Sequence, residues 1–223
     1  MRTFLLFLTA IILFSISSYG QMKYWEDLND QQKSDILGDC KSVSIKRFYE
    51  GNKKRFYEGK FKPTDDNKTV KLLAELVASN DTILPLSFYL FNKICISSDG
   101  ALSEMFDEHC TNFLAKHPLY MLTYFSRERI LKVKNPVWKT YAMFVGAELD
   151  FKISGTSDLE YSYKRYKEIL ASASKGNKEN EETFRAFWRA VDKTIKMMET
   201  EGGKESELEL YPPAQQDIPK RWW

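Results

Sequence analysis

Histidine is the scarcest of the residues that carry chemistry. The chain has two, His109 and His117, beside three cysteines, Cys40, Cys95 and Cys110. There is no HExxH, no CxxC and no pair of histidines one helical turn apart, so the usual zinc spacings have no footing. No G-x-S-x-G elbow exists, and a Cys–His or Ser–His pair would have to use one of the two histidines. The ten glycines stand singly apart from Gly202-Gly203, which leaves no Gly-rich loop to cradle a phosphate. No cofactor is implied. Excess charge of one sign is also lacking: 33 Lys and Arg face 31 Asp and Glu, a formal net charge of +2. A near-neutral chain has no global field to draw nucleic acid or anionic lipid, so such a role would need a local patch. Sustained β alternation between hairpin turns is absent as well, which removes the all-β folds.

What is present begins with a secretory signature. Arg2 opens the chain, residues 4–14 are apolar apart from Thr9, and Ser18-Tyr19-Gly20 places small residues at both signal-peptidase positions. The expectation is a signal peptide over residues 1–20, cut after Gly20, and a secreted or periplasmic product. No later run is long enough to span a bilayer, so no transmembrane segment is expected after cleavage. Removing the leader takes away one Arg and no acid, and the formal charge falls from +2 to +1.

The mature chain reads as all-α. Residues 82–96, TILPLSFYLFNKICI, leave almost no polar face, with only Asn92 and Lys93 interrupting a helix fit for the middle of a protein. Neighbouring segments show start and stop signals. Asn29 and Gln32 form a capping box, and the helix they open runs through Ile36, Leu37, Cys40 and Val43 toward Phe48. Val70, Leu73, Ala74 and Val77 follow the helical template after the cap candidates at 64–67. Asp99 can cap a helix striped by Leu102, Met105, Phe106, His109, Cys110, Phe113 and Leu114. Pro118 and Pro136 each restart a helix, and Ser157 and Glu160 frame a further capping box. Residues 174–180 read as a polar linker before a long helix with Phe184, Phe187, Trp188, Val191, Ile195 and Met198 on one face.

The expected architecture is seven or eight helices packed as antiparallel pairs, a HEAT-like stack or an irregular bundle. It forms a single helical domain over 21–203, followed by a mobile Pro-rich tail over 204–223.

Three cysteines cannot all pair within one chain. A turn at 98–100 into an antiparallel helix would stagger Cys95 and Cys110 by ~10 Å, past the ~7 Å Cα limit for a bridge. Three buried thiols are expected, with a bridge from Cys40 to Cys95 or Cys110 as the alternative.

The most distinctive local signal is a tandem repeat. Arg47-Phe48-Tyr49-Glu50-Gly51 recurs as Arg55-Phe56-Tyr57-Glu58-Gly59, and its glycines, with Pro63, point to turns and short helices. Residues 46–62 hold seven Lys and Arg against two Glu, interleaved with five aromatics. Such a segment either binds anionic polymers by charge and stacking, or packs its aromatics on the core while its bases stay in water; the second reading is preferred. The candidate binding surface is Arg47, Tyr49, Lys53, Lys54, Arg55 and Tyr57, joined by Trp222 and Trp223 of the tail. Asn67-Lys68-Thr69 and Asn80-Asp81-Thr82 match the glycosylation triplet.

Glu104, Glu108, His109, Cys110 and His117 are the densest metal-type cluster, but the spacing favours a solvated acidic face beside an edge-of-core histidine. Glu128, Glu148 and Asp150 are carboxylates near aromatic segments. The functional expectation is an exported non-enzymatic protein that binds another protein, of inhibitor, immunity or scaffold type, without nucleic acid. The alternatives are a cell-wall-acting hydrolase using paired carboxylates, or an anionic-polymer binder through residues 46–62.

Overall fold

The computed structural model describes residues 22–98, 105–153 and 158–201, and among these the fold is all-α with no strand. Nine α-helices lie among the described residues: α1 (Asp30–Asp39), α2 (Val43–Tyr57), α3 (Asn67–Ala78), α4 (Leu84–Ser97), α5 (Phe106–Lys116), α6 (Pro118–Ile130), α7 (Val137–Ile153), α8 (Asp158–Ser174) and α9 (Lys178–Glu201). Two 3-10 turns, Trp25–Asp27 and Asp81–Ile83, complete the described elements. The helices make antiparallel contacts, the most extensive between α7 and α9.

As its composition requires, α4 is buried from Leu84 to Cys95, apart from Pro85, which is half-buried in the first turn. It touches α2, α3, α7 and the first 3-10 turn. Phe88 and Phe91 lie against Phe113 at ring separations of 5.7 and 5.0 Å, and Phe91 also meets Tyr141 at 5.8 Å. Each such fully buried side chain contributes roughly 1.5–3 kcal/mol of transfer free energy.

The segment before α1 straps this core from outside. Tyr24 donates its hydroxyl to the Tyr120 carbonyl at 3.3 Å, and Tyr120 donates to the Lys23 carbonyl at 2.8 Å. Asp27 holds the Arg127 guanidinium through both oxygens, a fork geometry that fixes orientation as well as charge. Caps set several boundaries. Asn29 and Gln32 make the expected reciprocal box, Asp66 accepts from Lys68 N and Thr69 N, and Asn80 accepts from Ile83 N. Lys116 donates to the Val77 and Ser79 carbonyls at 3.0 and 2.7 Å, closing the C-terminal end of α3.

Several expectations need correction. The first helix does not run past Cys40: that residue turns extended, and Ser42 caps a new helix by accepting from Ile45 N at 3.1 Å. A serine side chain that can satisfy orphan N–H groups competes successfully with helix continuation there. Residues 43–57, expected to break, are one helix. The period of eight is close to two helical turns, so Phe48 and Phe56 fall within one face and pack on Phe61 at 5.6 and 4.7 Å. The buried stripe of α3 is Thr69, Leu72, Leu73 and Leu76 rather than one centred on Val70, Ala74 and Val77. Both sets obey the same spacing, and the sequence cannot choose between them. The polar linker 174–180 is a short turn, with Gly176 at φ +84° and Asn177 accepting from Asn180 N at 2.9 Å. The expected caps at Asp99 and Ser157, the leader, the tail and Glu104 lie outside the described residues.

Candidate functional site

The helix α2 separates its aromatics from its bases. Ile45, Tyr49 and Phe56 face inward, with Tyr49 only 2% exposed and edge-on to Trp25 at 5.3 Å. Arg47, Lys53, Lys54 and Arg55 are exposed, as are Lys60 and Lys62 beyond the helix, while Lys46 is half-buried. At 100° per residue, Arg47 and Lys54 lie along the centre of the outer face, with Lys53 and Arg55 on its flanks. Two of the bases have acidic neighbours: Lys54 and Lys60 both approach Glu58, at 3.7 and 3.1 Å. These exposed pairs contribute little stability.

Of the candidate surface, the structure therefore brings together Arg47, Lys53, Lys54, Arg55 and Tyr57, the last 42% exposed. It removes the Tyr49 ring to the core, because Trp25 and Lys53 cover its faces and edges, with Lys53 Nζ 5.9 Å from the ring centre. Trp222 and Trp223 lie outside the described residues. Stacking recognition needs exposed ring faces, and within the repeat only Tyr57 offers one. What remains is a rigid array of cations. Seven bases against two acids over 46–62, in a chain of net charge +2, leaves the rest of the chain net acidic.

A second feature is a groove of about 460 Å3 beside the turn between α6 and α7, lined by Glu128, Arg129, Lys139, Trp138, Glu179 and Glu182 among others. This concave gathering of acids bears directly on the hydrolase alternative. Glu128 is its half-buried acid, and loss of water lifts its carboxyl to about 8, against the lowering effect of two backbone amides. One oxygen accepts from Val137 N at 2.9 Å and the other from Trp138 N at 3.2 Å. Both oxygens are thus committed to the start of α7, where the helix dipole also favours them. An acid so engaged serves as a cap for the start of α7. Glu148 is buried, and Asp150 is half-buried.

The histidines are separate from the groove. Burial lowers the pKa of His109, with Glu108 opposing. His117 is buried between α5 and α6, with Nδ1 3.7 Å from an Asp81 oxygen and no partner at Nε2. It stands at the cap position before Pro118, but its side chain makes no capping bond. Among the described residues, no group of three or more His, Cys, Asp or Glu could hold a metal ion. No described helix is long and apolar enough to cross a membrane.

Sequence reasoning missed a buried polar cluster around the central helix. Lys93 is 7% exposed, its ammonium 5.2 Å from the Tyr89 ring, and burial depresses its pKa to about 8 while Glu26 opposes the shift. Burial raises Glu26 in turn, and Tyr124 donates to it at 3.5 Å. Tyr141 donates to Asn92 at 2.7 Å. The signal was the interruption itself: two polar residues inside a helix with no polar face imply partners brought from elsewhere.

No family model, no curated protein and no solved structure matches this chain.

Proposed function

We propose that this is an exported, non-enzymatic helical module that docks onto an acidic surface of another protein through the outer face of α2. The observation that carries the reading is the exposure of Arg47, Lys53, Lys54 and Arg55 on a helix whose inner face is locked by Tyr49 and Phe56. A pre-ordered row of cations loses little freedom on binding and steers an oppositely charged partner by long-range attraction. The loss of the aromatic half of the repeat to the core favours a protein surface over a stacked sugar or base. Export is supported by the composition of residues 1–20.

The test uses a photo-crosslinking residue, p-benzoylphenylalanine, at position 57, in the full chain expressed in its native source. The expected result is a discrete protein adduct that Arg47→Glu combined with Lys54→Glu abolishes. Raising salt from about 0.15 M to about 1 M, which shortens screening from roughly 8 to 3 Å, should weaken it steeply. Adducts indifferent to charge reversal, or polysaccharide adducts alone, would overturn the reading.

A further inference from the structure

The groove beside the turn between α6 and α7 is lined by charges of both signs, divided by element. The end of α6, the turn after it and the start of α7 supply Arg129, Lys132 and Lys139, while the first turns of α9 supply Glu179 and Glu182. Trp138 and Ile130 add apolar surface to the same lining, Ile130 being 62% exposed. Two of the bases are held in place. The Arg129 guanidinium donates to Thr183 Oγ1 at 2.9 Å, and Thr183 is fully buried on α9 next to Glu182. Lys139 Nζ stands 5.8 Å from the centre of the Trp138 ring. Among the described residues, no ion pair joins these bases to Glu179 or Glu182. Glu181, between them in sequence, is engaged elsewhere: it accepts from Gly176 N at 3.1 Å and lies 4.0 Å from Arg185. The third base has an unusual backbone. Lys132 stands at φ +51°, the left-handed position after a helix that glycine usually fills. Its N–H donates to the Arg129 carbonyl at 3.1 Å and the Val133 N–H to the Glu128 carbonyl at 3.0 Å, the paired bonds of such a helix stop. Glycine would make both bonds with less strain, so what lysine adds there is a cation on the groove wall.

We propose that this groove binds a small zwitterion of the amino-acid or short-peptide class, its carboxylate toward Arg129, Lys132 and Lys139, its ammonium toward Glu179 and Glu182, and an apolar side chain on Trp138 and Ile130. A volume of about 460 Å3 falls within the roughly 300–1,000 Å3 of small-molecule sites. A ligand of one sign would meet a wall of like charge, whereas a zwitterion satisfies both walls at once. Glu128 adds little to this balance. Its two oxygens accept from the Val137 and Trp138 amides, and burial lifts its carboxyl to about 8, which leaves it largely uncharged at neutral pH. The guanidinium fixed by Thr183 and the ammonium fixed over Trp138 are ordered before a ligand arrives, so little freedom is lost on binding. The groove shares no residue with the basic face of α2, and its ligand is independent of what docks there.

The test screens the full chain by saturation-transfer NMR against free leucine and a panel of free-ended dipeptides that pair leucine with each of the other amino acids. The tightest of these probes then goes to titration calorimetry beside its N-acetyl and C-amide forms, each of which lacks one charge. The expected result is binding of the zwitterion at about 1 mM or tighter, with each blocked form weaker by roughly tenfold. Glu179→Gln combined with Glu182→Gln should erase the penalty for acetylation, and Lys139→Met should shrink the penalty for amidation. Lys132→Gly should weaken binding while raising the melting temperature by roughly 2–4 °C, a split that a purely structural lysine would not produce. Arg47→Glu with Lys54→Glu should leave the affinity unchanged, which keeps a failure here distinct from a failure of the docking reading. Leucine binding as tightly as any dipeptide would assign the free amino acid as the form recognised. No binding of leucine or any dipeptide at about 10 mM, blocked forms that bind as well as the zwitterion, or charge preferences that survive loss of the groove residues would overturn the proposal.

Discussion

Replacing Gly146 by alanine sets two effects of opposite sign against each other. In a helix interior free of neighbours, alanine is favoured over glycine by about 1 kcal/mol. Gly146, however, lies on α7 directly against Val191 and Thr194 of α9. A Cβ built there would stand 2.6 Å from Thr194 Cβ, 2.8 Å from Thr194 Cγ2 and 3.2 Å from the Val191 carbonyl oxygen. Carbon atoms attract best near 3.5–4.0 Å, so relief requires the helices to part by roughly 1 Å across the most extensive contact of the fold. Overpacking of this kind destabilises by about 1–3 kcal/mol. Taking the upper end and subtracting the propensity gain gives a net loss of about 2 kcal/mol, or a melting temperature lower by roughly 4–8 °C. Thermal and urea melts followed by far-UV circular dichroism read it directly. In a Thr194→Gly background the two shortest contacts vanish, and the same Gly146→Ala change should then stabilise. A Gly146→Ala protein as stable as the parent in the unaltered background would refute the close-approach account.

Gly38 and Gly51 provide the complementary case, since a Cβ at either meets nothing within 4 Å and both lie inside helices. Alanine at each should raise stability by roughly 0.5–1 kcal/mol, read as a higher urea midpoint; a loss would mean that α2 or α1 is strained in a way the contacts do not reveal. The pH profile should also carry a signature of the buried charges. Glu128 binds its proton more tightly folded (about 8) than unfolded (4.5), so its contribution is full below 4.5 and is lost as pH rises toward 8. Lys93 has the opposite sense: its folded pKa of about 8 lies below the ordinary 10.5, so stability recovers as pH climbs from 8 toward 10. Denaturant titrations across this range should show a minimum near pH 8, and Glu128→Gln should flatten the acid-side slope. A profile that rises from pH 5 to 8 would contradict the assignment.

What could be read from the residues and what could not divides along a physical line. Features set by a few consecutive residues were legible: the Asn29 capping box, the cap at Asp66 within 64–67, the restart at Pro118, and the all-round burial of α4. Misreadings came where local signals were degenerate. The two glycines of the repeat suggested breaks, yet packing of Phe48 and Phe56 on Phe61 outweighs the helix penalty of a single exposed Gly51. Asp39 and Lys41 gave no stop signal, and only the Ser42 cap explains why α1 ends there. The electrostatic influence of Glu26 on Lys93 depends on how α4 crosses distant segments, and crossing geometry is written in no short window. The basic half of the candidate surface was legible because solvated bases need no partner to be identified. Its aromatic half was not, since a tyrosine serves equally well inside or outside.

The strap over the core has a consequence for the order of folding. Asp27 and Arg127 are a hundred positions apart, and Tyr24 reaches Tyr120 across 96. A ribosome or a translocation pore delivers the amino end first, so Tyr24 must wait for Tyr120 until more than half the polypeptide has emerged. Closing so large a loop is entropically slow, and it leaves that tyrosine ring open to chaperones or to neighbouring nascent chains in the interval.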